Sequence, residues 1–223
     1  MLDLNAIPPR LSREIASLFA PAQGDDGWCH FLDGGIIGGP PSLQDGRWKK
    51  PSVVVSGAAV ELPATFGRLA ETLNLKIVGP KIGSAAALKL TFASLTKGLT
   101  ALALLSFSTA QSESVLPELL QHLEEYSPQT AALTARGVVA MAPKAYRWVD
   151  EMRGIGEAFD TEGHWEGRGA AVYDAFAEVY RTVAEDTVLG EEKVGKRNRG
   201  KTAEDVAAIL AEVKGQYSTG VSG

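Results

Sequence analysis

Lys89 is the residue whose surroundings best suit it to chemistry. It sits in a segment from Gly83 to Ala110 (GSAAALKLTFASLTKGLTALALLSFSTA) whose only charged side chains are Lys89 and Lys97. An amine buried in such a setting gives up its proton closer to neutrality than a surface lysine does, which suits a general acid or base. The plainer alternative is a covered stem with an ammonium that reaches water. Lys97 lies about 80° from Lys89 around a helix. It is placed either to reach a substrate anion or phosphate or to serve at a surface or interface. Asp33, Gly38 and Gly39 belong to the run Asp33-Gly34-Gly35-Ile36-Ile37-Gly38-Gly39-Pro40-Pro41. Its glycines let backbone come close to a ligand, or simply form a tight turn after a strand. Asn5, ahead of Pro8-Pro9, can bond a cofactor amide or ribose, or close the turn before a helix.

Other constellations are weaker. Gly195-Lys196-Arg197-Asn198-Arg199-Gly200-Lys201-Thr202 satisfies the phosphate-binding pattern G-x-x-x-x-G-K-[ST]. That loop needs a buried strand before it, and Gly190-Glu191-Glu192-Lys193-Val194 is charged and unlike a strand. Thr202 reads instead as a helix N-cap, with Asp205 in a capping-box-like position. His30, His122 and His164 are scattered, and with one cysteine, Cys29, no metal-ligand spacing exists. Arg147 and Glu151 have the spacing of a helix-stabilising ion pair.

Two styles of sequence must position these groups. From Met1 to about Gly79 the pattern is α/β. Leu2–Ile7, Trp28–Asp33, Ser52–Ser56 and Leu75–Val78 read as strands, with helices over Pro9–Phe19 and Ala58–Leu73. Gly34 to Pro41 reads as a loop. From Gly83 onward everything is helical. The first helix, Gly83–Ala110, is roughly 42 Å long at about 1.5 Å per residue, and its all-round apolar surface predicts burial on most sides. Helices over Glu113–Tyr126, Pro128–Ala142, Pro143–Phe159, Arg168–Asp186 and Thr202–Lys214 follow. The expected division is an α/β domain over 1–80, an all-α domain over 81–214 and a flexible tail over 215–223.

Composition excludes several classes. The chain has 223 residues, 45% hydrophobic and 22% charged, values of a globular protein. A net charge of −5 argues against a nucleic-acid binder working through bulk electrostatics. A lone cysteine fits a reducing compartment, and Asp3 stands where a signal peptide would be basic, so a cytoplasmic location is expected. Lys89, Lys97 and the interspersed Ser and Thr argue against a membrane span. The uncharged stretch from Gly98 to Gln111 is shorter than the roughly 20 apolar residues a span needs.

Four stretches, in order, resemble the β-hydroxyacid dehydrogenase superfamily, which includes 3-hydroxyisobutyrate and 6-phosphogluconate dehydrogenases. Asp3-Leu4-Asn5-Ala6-Ile7-Pro8-Pro9 resembles the D-x-S-T-x-x-P turn near the nicotinamide. Asp33 to Pro41 resembles the substrate loop D-A-P-V-S-G-G, with Ile37 in the serine's place. Gly83 to Lys89 resembles the interdomain helix start that carries the catalytic lysine, and Ala93 stands where many members have an asparagine. Lys144 to Met152 (KAYRWVDEM) resembles an R-x-x-R-W-x-x-E-M signature of one branch, with Lys144 for the first arginine.

The resemblance implies an α/β portion of a Rossmann-type domain followed by an all-α domain like the C-terminal domain of 6-phosphogluconate dehydrogenase. It implies an NAD(P)-dependent oxidoreductase acting on a hydroxyacid-like small molecule. Lys89 would be the general acid/base, Asp33, Gly38, Gly39 and Lys97 would bind substrate, and Asn5 would bind NADP or NAD. It also implies a homodimer, and no nucleic-acid or membrane partner. The family's G-x-G-x-x-G unit is expected upstream of Asp3, and no such motif occurs in the sequence. Two rivals are a helical dimerisation or small-molecule-binding module without cofactor, and a lyase or isomerase using Lys89 alone.

Overall fold

The computed structural model describes residues 1–19, 30–57 and 64–219. They form two compact units: residues 1–93 with 157–167, and residues 94–156 with 168–223. The division falls inside the long helix, not at the 80/81 boundary expected from the change in sequence style.

The first unit holds a mixed sheet. Its strands are β1 (Leu2–Asp3), β2 (Leu32–Ile37), β5 (Ser52–Ser56) and β6 (Leu75–Gly79), in the order β1-β2-β5-β6. β1 and β6 run parallel to their neighbours, whereas β2 and β5 are antiparallel. Val53, Val54 and Val55 are buried in succession, as in a strand covered on both faces. Helix α1 (Pro9–Ser17) opens on Pro9, whose fixed φ suits the first turn. Helix α2 spans Ala64–Leu73.

The strand expected at Trp28–Asp33 lies later, at Leu32–Ile37, and so takes in Gly34 and Gly35, which the sequence assigned to a loop. Trp28, Cys29 and the Ala58–Pro63 part of the expected second helix lie outside the described residues. The hairpin of β3 (Ser42–Gln44) and β4 (Arg47–Lys49) was not anticipated. Its turn is Asp45-Gly46, both at positive φ (49° and 73°), the pairing that matches the twist of a two-residue hairpin.

Helix α3 (Ser84–Ser112) is rich in Ala and Leu, with no proline. It ends in a Schellman arrangement. Ser114 sits at φ 60°, its N–H bonds Gln111 O at 3.1 Å, and Val115 N–H bonds Ala110 O at 2.8 Å. The face it buries is mostly small up to Ala103, with Leu104 and Phe107 added beyond. Ala85, Ala86, Ala93, Ala101, Ala103 and Ala110 are buried, while Leu88 (40% exposed), Phe92 (46%), Leu95 (76%) and Leu102 (50%) are turned outward. Burial on most sides is therefore not what this helix has. By length and hydropathy alone it would also cross a membrane, although 44% of its most apolar window is buried in the protein.

The second unit adds α4 (Leu116–Tyr126), α5 (Pro128–Met141), α6 (Ala145–Thr161, whose last residues belong to the first unit), α7 (Arg168–Glu185) and α8 (Ala203–Thr219). Its core includes Leu104, Phe107, Val138, Met152, Ile155, Tyr180, Val183 and Val206. Gly137 lets α5 approach α3, since a Cβ there would stand 2.5 Å from Thr100 Oγ1. α8 continues through Thr219, so part of the expected tail is helical.

The run that mimics a phosphate-binding loop has no strand before it, only a 3-10 turn at Val188–Glu191. Thr202 does cap α8: Asp205 N–H donates to its Oγ1 at 3.2 Å, and Asp205 Oδ2 accepts from Gly200 N–H at 2.6 Å. The anion at this loop is internal. The buried carboxylate of Glu192 accepts from Asn198 N–H at 2.8 Å and Arg199 N–H at 2.9 Å. These bonds, Arg199 N–H foremost, hold the Glu192 carboxyl below the usual glutamate range. A carboxyl lowered by folding stabilises the fold above its unfolded pKa, and that contribution is lost as pH falls through the folded value. Glu192→Gln is therefore expected to destabilise the protein at pH 7 in urea unfolding. The gap to the parent should narrow in the same experiment as pH falls below the ordinary glutamate range.

Candidate functional site

The buried carboxylate of Asp33, 1% exposed, organises the first unit. β2 carries it into the sheet beside Asp3 of β1 and Ser56 of β5. Its Oδ1 accepts from Ser12 Oγ at 2.7 Å. Its Oδ2 accepts from Ser56 Oγ at 2.8 Å and from the backbone N–H groups of Gly83 and Ala86, each at 3.0 Å. Ser56 Oγ accepts in turn from Ala85 N–H at 3.0 Å. The first N–H groups of a helix have no partner within it. At α3 a distant aspartate and serine supply what a local cap would. Gly83 is needed here: it sits at φ 94°, and a Cβ would come within 2.8 Å of Arg13 Nη1 and 3.1 Å of Pro9 O.

Lys89 lies in the second turn of α3, half-buried. Its stem rests on Gly35, where an added Cβ would stand 2.9 Å from Lys89 Cδ and 3.0 Å from its Cβ. Strand side chains alternate between faces, so Asp33 and Gly35 share one face of β2. That face clamps the start of α3 at one residue and carries the lysine stem at the other. Of the two readings of Lys89, a buried amine or a covered stem with its ammonium in reach of water, the structure gives a half-buried residue whose stem is covered by β2.

The other sequence candidates are placed differently. Gly38 is exposed at φ 111°, a value that favours glycine. Gly39 is exposed, with nothing within 4 Å of where a Cβ would be. Both follow β2 directly. Asn5 folds back on Asp3, whose Oδ1 accepts from Asn5 N–H at 3.0 Å and Asn5 Nδ2 at 2.6 Å. Lys97 belongs to the second unit, in an ion pair with Glu151 and 4.8 Å above the Trp148 ring. Tyr180 O–H donates to the Lys97 carbonyl at 2.6 Å and meets Trp148 edge-on. Burial, with Glu151 adding to it, pushes the Tyr180 phenol well above its ordinary range. Glu151 thus pairs with Lys97 of α3, not with Arg147 one turn away, and Arg147 is exposed. Among the described residues no group of His, Cys, Asp and Glu is arranged to hold a metal ion.

Ser12, Ser56 and Gly35 escaped the sequence reading. Only Ser56 carried a signal, as the polar end of the strand Ser-Val-Val-Val-Ser. The described residues also contain no glycine-rich turn from a strand into a helix of the kind that holds a dinucleotide pyrophosphate. The run from Gly34 to Gly39 passes from strand to hairpin.

Comparison with known proteins agrees with this architecture. Residues 110–183 match the family described as a domain of unknown function (DUF1932). No curated protein sequence matches. A conserved hypothetical protein from Sinorhizobium meliloti 1021 has a similar structure at a TM-score of 0.67 and 21% identity, over 95% of this chain and 65% of that one. A conserved protein of unknown function, whose structure is described as similar to 3-hydroxyacid dehydrogenases, matches at a TM-score of 0.61 and 21% identity, over 85% of this chain and 67% of that one. A reductive aminase from Aspergillus terreus, solved with NADPH and ethyl levulinate, is a looser match at a TM-score of 0.44 and 21% identity. The chain thus spans about 65% of the length of the first of these structures. Beyond the DUF1932 segment, the chain shares the fold of the first two of these structures, with a small mixed sheet followed by a mostly helical region.

Proposed function

We propose that this chain is the substrate side of an NAD(P)-dependent oxidoreductase acting on a hydroxyacid-like substrate, with Lys89 as its general acid/base. The observation that carries the reading is the placement of Lys89: a half-buried amine whose stem is seated on Gly35 at the clamped start of α3. A nicotinamide, when bound, would supply or remove the hydride. The chain's own task is at the substrate hydroxyl, where Lys89 Nζ would take or return the proton. The exposed glycines Gly38 and Gly39 would offer backbone to the substrate, and Ile37 would give it an apolar contact in place of a hydroxyl. Asn5 stays the residue proposed to face the cofactor. Lys97, already paired with Glu151, has the weaker claim on a substrate anion.

Titration of the full chain with NADPH and NADH, followed by turnover of a panel of short hydroxyacids, tests this. Binding and turnover are expected. Lys89→Ala should lower kcat by about 10²–10⁴-fold, the usual share of a general acid or base, with cofactor affinity nearly unchanged. Absence of binding at millimolar cofactor would favour the rival module that holds no nicotinamide.

The outward face of α3 supports a homodimer. Leu95 and Leu102 in the second unit are exposed seven residues apart, the heptad spacing that seams two helices, and Leu88 and Phe92 are exposed in the first unit. Leu105 lines an open groove of about 520 Å³ with Val115 and Leu119. Sedimentation velocity should show a dimer, and Leu95→Glu with Leu102→Glu should give a folded monomer. A well-folded monomer of the parent chain would count against the interface.

A further inference from the structure

We infer that Asp33 is a positioning residue for Lys89 and not a substrate ligand. This rests on the reading of Lys89 as the working amine. A carboxylate has about four acceptor sites. Those of Asp33 already receive Ser12 Oγ, Ser56 Oγ, Gly83 N–H and Ala86 N–H, and the residue is 1% exposed. Buried to this degree, its carboxylate has no access to a substrate.

The two oxygens have separate tasks. Among the described residues Oδ1 accepts from the Ser12 hydroxyl, which ties β2 to α1. Oδ2 takes the two N–H groups at the start of α3 and the Ser56 hydroxyl, which itself receives Ala85 N–H. Negative charge at that end of a helix is also favoured by the helix dipole. Gly83, Ala85 and Ala86 are therefore fixed to β2 and β5 through one oxygen atom and one hydroxyl. Lys89 comes three residues after Ala86, close to one turn further. It meets β2 at Gly35, two residues from Asp33 on the same face. Helix and strand are thus pinned at one point, and the lysine stem lands on the next inward position of the strand. The absence of a side chain at Gly35 sets how near the stem lies. A rotation or slide of α3 would move Nζ off this seat without unfolding the sheet.

The test reads the lysine directly and needs no substrate. In the full chain, the lysines are reductively dimethylated with ¹³C, and the Lys89 resonance is assigned by its loss in Lys89→Arg. Asp33→Asn places an amide NH₂ among groups that donate, and Ser56→Ala removes the link to Ala85. Both are expected to shift the Lys89 peak towards that of exposed lysines, and Gly35→Ala should displace it as well. Ser12→Ala weakens only the Oδ1 side and should leave the peak in place, as should Lys76 and Lys97 in every variant. If Asp33→Asn does not fold, Ser56→Ala with Gly35→Ala decides the matter. An unmoved Lys89 peak in folded Asp33→Asn or Ser56→Ala overturns the inference. So does a Ser12→Ala shift as large as that of Ser56→Ala, which would mean general loosening. An unmoved peak in a chain whose turnover depends on Lys89 would leave the proposed function standing. A moved peak in a chain that binds no nicotinamide would support the positioning role and contradict the function.

Discussion

The rest of the first unit depends on one buried charge. Removing a carboxylate from water is costly unless hydrogen bonds replace the water it loses. Asp33 is tolerated because a helix start and two hydroxyls converge on it. The same bonds solve the opposite problem for α3, whose first N–H groups would otherwise be buried without partners. Losing either side leaves the other unsatisfied, so sheet and helix start are held as one piece. Lys89 takes its place from that piece.

A second constraint is the inverted burial of α3. Alanines make up much of its buried face, and glycines on neighbouring elements approach it closely, Gly35 at Lys89 and Gly137 at Thr100. The price is that Leu88, Phe92, Leu95 and Leu102 face outward. A second copy is the covering proposed for these side chains.

Much of this was legible in the sequence. Proline at the starts of α1 and α5 and the Ala/Leu-rich run of α3 marked these helices, because local propensity and capping decide them. The false phosphate loop was also rejected from local signals, and Glu192 supplies the physical reason by occupying the N–H groups of Asn198 and Arg199. The task of Asp33 was not legible, since its bonds to Gly83 and Ala86 span 50 and 53 residues and no local pattern encodes them. The β3–β4 hairpin had a signal in Asp45-Gly46 that was passed over. The outward face of α3 was hidden by reading its composition as a whole and not tracking where the alanines recur.

The central claim concerns one atom, Nζ of Lys89. A structure of this chain with a nicotinamide cofactor and a bound hydroxyacid tests it most directly. The account predicts Lys89 Nζ within about 3.2 Å of the substrate hydroxyl, the reach a general acid or base requires. A substrate seated with its hydroxyl bonded to another group, and Lys89 turned away to solvent, would contradict it.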